Sequence, residues 1–214
     1  MAFLVGTLAV RPRIPSMGGL MTAETAHHWP VPPPDGYTVD DLLTLPDLPP
    51  HTELLDGSLV FVSPQRCFHS IVIDLLVNGL RRTAPSELKV TREMTVVIDR
   101  RNGPEPDITV VRAAAARSRM QSYFQGRDVL LAVEVVSPES EARDRDTKPY
   151  KYANAGIPYF WRVEMAGADD HPVVHAFELA LETRAYRPVD TFREQVKLGA
   201  PFDIDIDLTA IDTL

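Results

Sequence analysis

The stretch Leu130-Leu131-Ala132-Val133-Glu134-Val135-Val136 sets one acidic residue inside an unbroken apolar run. Such a run, lacking polar alternation, predicts a central strand covered on both faces. Burying a carboxylate there costs on the order of several kcal/mol unless it is paired or binds a cation. Pro106-Asp107-Ile108 opens a second apolar strand with another acidic residue, and Lys148 follows on a charged helix. Two carboxylates at one sheet edge with a lysine nearby point to a divalent-cation site suited to phosphodiester hydrolysis.

Working outward, the pattern predicts helices and strands in mixed order. Thr38 to Leu43 reads as a short helix with Thr38 as N-cap, ended by Pro46, Pro49 and Pro50. Glu53-Leu54-Leu55 reads as a strand, Asp56-Gly57 as its turn and Leu59 to Val62 as the return. Apolar residues at 68, 71, 72, 75, 76 and 80 form a helical stripe. Val90–Ile98 and Ile108–Val111 read as strands, Gln121–Arg127 as a loop, and Glu139–Asn154 as a charged helix capped by Gly156. Tyr159 to Val163 is the next strand, and Val173–Phe177 with Arg184–Val189 form a hairpin. The alternation Asp203, Asp205, Asp207 reads as the wet face of a strand; it lacks the glycine and terminal glutamate of a calcium loop.

Composition narrows the class. At 214 residues, 44% apolar and 24% charged, the chain suits one soluble globular domain with appended ends. Residues 1–36 are expected to be a flexible, Pro-rich N-terminal segment, and 37–214 one domain. No signal peptide is expected, and Met17 and Met21 are alternative starts. The lone cysteine, Cys67, excludes an intramolecular disulfide and fits a cytoplasmic location. No apolar run approaches the roughly 20 residues of a membrane span. The net charge of −8 argues against a nucleic-acid partner, but the acidic excess lies mostly beyond residue 163. Between Arg81 and Lys151 basic residues outnumber acidic ones, 14 to 11.

The remaining candidates carry two readings each. Asp144, Lys148 and Tyr152 are spaced four apart and share a helix face. Lys148 is then either the partner of Asp144 in a surface salt bridge or a cation that stabilises an attacking hydroxide or the scissile phosphate. Glu53 is either an exposed hairpin charge or a third carboxylate of the site. His69 is read as a half-buried structural histidine rather than a phosphate or water contact. His27, His28, His51, His171 and His175 form no metal-ligand spacing, and no Gly-rich phosphate loop or nucleophile elbow is present.

Taken as an ordered set, these residues resemble the Uma-type putative restriction endonuclease family, a branch of the PD-(D/E)XK nuclease superfamily. The matching pieces are Glu53 to Gly57, Ser63-Pro64, His69, Pro106-Asp107, Glu134 to Pro138, Asp144 with Lys148 and Tyr152, and Gly156 to Trp161. The resemblance implies a restriction-endonuclease-like α/β fold, a mixed sheet flanked by helices with an added β-hairpin region. It also implies Mg²⁺- (or Mn²⁺-) dependent endonuclease activity on DNA, and a homodimer. Carried across, Asp107 and Glu134 would be metal ligands; in the mechanism read from the residues, Glu53 orients a second metal or a water. Val136 occupies the position where the superfamily pattern has its lysine, and Lys148 on the following helix substitutes. Phe160 stands where the family shows a tyrosine before its tryptophan. The alternatives are a catalytically inactive binding or dimerisation module of the same fold, favoured by the acidic balance and displaced lysine, and a hydrolase of another phosphate ester.

Overall fold

A capped helix begins the regular structure in the computed structural model, which describes residues 31–62, 64–167 and 169–214. The Thr38 hydroxyl accepts from the Asp41 N–H (3.3 Å), and the Asp41 carboxylate accepts from the Thr38 N–H (2.7 Å). This capping box starts α1 (Val39–Thr44). Then come β1 (Glu53–Leu55), β2 (Ser58–Val60), α2 (Cys67–Thr83), β3 (Leu88–Arg92), β4 (Thr95–Val97), β5 (Ile108–Arg112), β6 (Tyr123–Gln125) and β7 (Val129–Val135). The chain continues through α3 (Lys148–Asn154), β8 (Tyr159–Ala166), β9 (His171–Ala180), β10 (Ala185–Phe192), β11 (Gln195–Leu198) and β12 (Ile204–Asp207). Of the proline-rich segment, residues 31–35 are exposed, with a turn closed by the Gly36 N–H donating to the Pro33 carbonyl (2.8 Å). The rest of that segment, residues 1–30, lies outside the described residues, as does Ser63.

Six strands make one mixed sheet in the order β10-β9-β8-β7-β5-β3. Every neighbouring pair is antiparallel except β7–β8, whose parallel register pairs Glu134 with Arg162. A parallel pair requires a crossover, and the connection from β7 to β8 carries α3 across one face. On that face Tyr152 and Ile157 pack with Val111, Ala132 and Phe160. On the other, Val72, Leu76 and Leu80 of α2 cluster with Val110, Leu131, Val133 and Trp161. The β11–β12 hairpin extends this second layer through Ile204 and Ile206, leaving Asp205 and Asp207 exposed as the alternation predicts. With both faces covered, β7 is apolar at nearly every position, and Glu134 is the exception.

Three segments depart from the sequence expectation. The stretch expected as one strand, Val90–Ile98, breaks into β3 and β4 at Glu93, whose φ of 52° is left-handed. The expected loop Gln121–Arg127 contains β6, which pairs in parallel with β4. The expected helix Glu139–Asn154 is interrupted: Arg143–Thr147 is a π-helical turn, and the α-helix proper starts at Lys148 with Pro149 in its first turn. Pro149 has no N–H to donate, so it suits the first turn but not a helix interior. Gly156, at φ 78°, follows the end of α3 as predicted.

Gly79 fixes the approach of α2 to the hairpin. A Cβ at this position would lie 2.6 Å from Ile206 Cγ1. Gly79→Ala gains about 1 kcal/mol of helix propensity but overpacks the interface by about 1–3 kcal/mol. The expected outcome is net destabilisation in urea unfolding; a stabilised variant contradicts this packing.

Candidate active site

Continuing the β5–β7 register one step beyond Ile108↔Val133 places Asp107 opposite Glu134. Glu134 alternates with Ala132 along β7 and so projects from the face crossed by α3. Asp107 is held at three points: Oδ1 accepts from His69 Nε2 (2.9 Å), Oδ2 accepts from the Val135 N–H (2.6 Å), and its own carbonyl accepts from the Glu93 N–H (3.1 Å). His69, expected to be half-buried, is buried, and its partner is the Asp107 carboxylate. Burial opposes a charge on His69, and the Asp107 carboxylate beside it outweighs burial, raising its pKa above the ordinary value.

Glu134 faces α3 and is engaged at both oxygens. Lys148 Nζ donates to Oε2 (3.0 Å) and the Tyr152 hydroxyl donates to Oε1 (2.5 Å). The same ammonium lies 2.9 Å from Glu53 Oε1 and 3.2 Å from Asp144 Oδ1. Glu53, Glu134 and Asp144 are each at most 2% exposed, and Lys148 is 5% exposed. The surface salt bridge allowed by the sequence is thus a buried one shared among three carboxylates, and Glu53 is not an exposed hairpin charge. Burial raises the proton affinity of Glu134; Lys148 opposes this, and Asp144, Asp107 and Glu53 reinforce it. Asp144 is raised for the same first reason. Burial disfavours charge on Lys148, but the surrounding carboxylates hold it protonated well above the ordinary lysine range. Tyr152 is raised by burial and by Glu134, so its hydroxyl remains a donor.

All four expected site residues, Glu53, Asp107, Glu134 and Lys148, line one small cavity of about 40 Å³. The sequence reading missed several others on its wall: His51, Glu93, Glu105, Ser137, Ser140 and Arg143. Glu105 binds Glu53 through its N–H (2.8 Å) and accepts from His51 Nδ1 (2.6 Å). Ser137-x-x-Ser140 had a local signal, since reciprocal hydroxyl and N–H bonds of about this spacing are a turn motif. A larger cavity of about 660 Å³, lined by Tyr150, Phe160, Phe177 and Tyr186 beside α3, brings together no carboxylate cluster. The small cavity is therefore the one that gathers the carboxylates and the lysine singled out in the sequence. Among the described residues, no three His, Cys, Asp or Glu side chains form a ready-made metal cage. Asp107 and Glu134 offer two hard carboxylates, a set that suits a cation retaining several waters.

The profile of the family described as "Uma2: Putative restriction endonuclease" matches residues 39–210, spanning every residue of this cavity. The chain belongs to the Uma2 family. Among solved structures it is similar to a putative nuclease of the DUF820 group from Anabaena variabilis ATCC 29413. That likeness has a TM-score of 0.63 at 15% identity, over 82% of this chain and 97% of the other. At that identity the likeness establishes the shared fold, the mixed α/β nuclease-like architecture expected from sequence. No curated protein matches the chain. Among the described residues of this Uma2 protein, no helix is long and apolar enough to cross a membrane.

Removing the Lys148 ammonium leaves three buried carboxylates without their shared cation. Lys148→Met is expected to destabilise the fold by about 3–5 kcal/mol at neutral pH. Glu134 and Asp144, with folded pKa values above their unfolded ones, take up protons first in the folded state as pH falls. Acidification from neutral pH toward the ordinary carboxylate range therefore favours the folded form, and more so in the variant. The gap between wild type and variant in denaturation midpoint narrows at lower pH; a pH-independent gap contradicts the buried cluster.

Proposed function

We propose that the cavity is the hydrolytic centre of a Mg²⁺-dependent endonuclease acting on DNA phosphodiesters, with Mn²⁺ able to substitute. The observation that carries this reading is the convergence of Glu53, Asp107, Glu134 and Asp144 around a single interior lysine. Carboxylates outnumber the lysine, whose one ammonium is divided among Glu53, Glu134 and Asp144. A site so rich in hard oxygen donors fits a divalent cation, with Asp107 and Glu134 as its protein ligands. When bound, the cation supplies Lewis-acid polarisation of a phosphate oxygen and a water of lowered pKa.

The chain's own residues prepare that chemistry. His69 and the Val135 N–H fix the two oxygens of Asp107, while Tyr152 and Lys148 fix those of Glu134. Ligand orientation set this way limits rearrangement during the reaction. Lys148 also keeps a fixed positive charge at the cavity wall, where it offsets negative charge developing on the phosphate. It does so from α3 rather than from position 136, where Val135-Val136 carries no ammonium. In this reading Glu53, tied to the Glu105 N–H and to Lys148, orients a water. A homodimer would supply two such centres, one for each strand of a duplex.

One observation favours the alternative of an inactive binding module: both Glu134 oxygens are occupied by protein donors. Plasmid nicking separates the two. With Mg²⁺ or Mn²⁺ present, wild type is expected to nick, and Asp107→Ala and Glu134→Ala, purified identically, to lose at least about a thousandfold in rate. Equal nicking by wild type and variants, or none by wild type, contradicts the endonuclease.

A further inference from the structure

Arg143 lines the cavity beside Glu53, Asp107, Glu134 and Asp144, yet pairs with none of them. Those carboxylates are taken up by Lys148 and His69. Among the described residues the Arg143 side chain makes no ion pair or hydrogen bond, and its Nε is buried without a partner. Two residues on, the more exposed Arg145 pairs with both Glu141 and Glu164. An unpartnered guanidinium N–H shielded from water is costly. Its retention next to so many carboxylates calls for a ligand that the folded chain does not itself contain.

The local backbone supports a functional placement. Arg143 opens the π-helical turn that runs to Thr147, and such turns concentrate at functional sites because the wider ring re-aims side chains. Here the turn buries Asp144 against Lys148 while leaving Arg143 on the cavity wall.

Electrostatics identifies the ligand class. A phosphodiester entering this cavity meets an excess of carboxylates, and the charge of Lys148 is already shared among three of them. Lys148 acts on the phosphate through its field, whereas the Arg143 guanidinium, paired with no carboxylate, is free to contact it directly. Its planar fork matches two phosphate oxygens in a bidentate geometry that lysine cannot reproduce. We propose that Arg143 is the substrate-phosphate ligand of this centre, its Nε–H and a terminal N–H gripping the non-bridging oxygens of the phosphodiester. This rests on the hydrolytic reading above for its substrate, but not on whether hydrolysis occurs.

The test is binding of a short labelled DNA duplex by the full chain in Ca²⁺, by fluorescence anisotropy over a range of salt, with nicking measured in Mg²⁺. Arg143→Gln is expected to weaken binding by about 10- to 100-fold and to lower the salt slope by about one unit. Arg143→Lys restores the slope and only part of the affinity. Arg117→Gln, which removes the same charge beside a separate cavity, leaves binding within about twofold. Unchanged thermal melting of Arg143→Gln assigns its loss to the missing contact rather than to the fold. If wild type binds without nicking and Arg143→Gln loses that binding, the phosphate site stands and the hydrolytic reading fails. Equal binding by wild type and Arg143→Gln overturns the phosphate site while leaving that reading intact. Absence of binding by wild type, or an equal loss in Arg117→Gln, also overturns it.

Discussion

One ammonium organises this protein. Lys148 is buried, and it reaches Glu53 from β1, Glu134 from β7 and Asp144 from the turn before α3. Elements distant in sequence are thereby drawn to one point by charges that would each be intolerable there alone. Coulombic attraction is strong in such a shielded place, and so is the penalty for any carboxylate left over. The cluster is held against that excess by donors placed around it: Tyr152 on Glu134, the Glu105 N–H on Glu53, and His69 with the Val135 N–H on Asp107.

The sheet makes this arrangement possible. β7 is covered on both faces, so a side chain projecting from it toward α3 enters an interior rather than solvent. The β5–β7 register brings Asp107 alongside, and the parallel β7–β8 pair requires the crossover that carries Lys148 and Tyr152 over the same spot. Topology and site are one construction: the helix that completes the parallel pair is also the helix that supplies the cation.

Much of this was legible in the sequence because it is local. Glu134 is conspicuous as an acid inside an apolar run, and Thr38, Asp56-Gly57 and Gly156 announce a helix start, a turn and a helix end. The four-residue spacing of Asp144, Lys148 and Tyr152 survives into the structure even though a π-turn interrupts the helix. What depends on distant pairing was hidden. β4 and β6 join in parallel across an intervening strand, so neither three-residue segment carries a signal alone. Glu53 meets its partners, Lys148 and the Glu105 N–H, only across long stretches of sequence, which left its reading open. Arg143 and Glu105 look like ordinary surface charges, and only the assembled cavity shows that one is unpartnered and the other props up Glu53.

The central claim is that this carboxylate cluster holds a divalent cation, and direct metal titration tests it without relying on turnover or on a chosen DNA. Mn²⁺ binding followed by calorimetry or electron paramagnetic resonance is predicted to show a stoichiometric site in wild type. That site disappears in Asp107→Ala while the melting transition remains. Absence of a stoichiometric site in wild type, or one that persists unchanged in Asp107→Ala, contradicts the account.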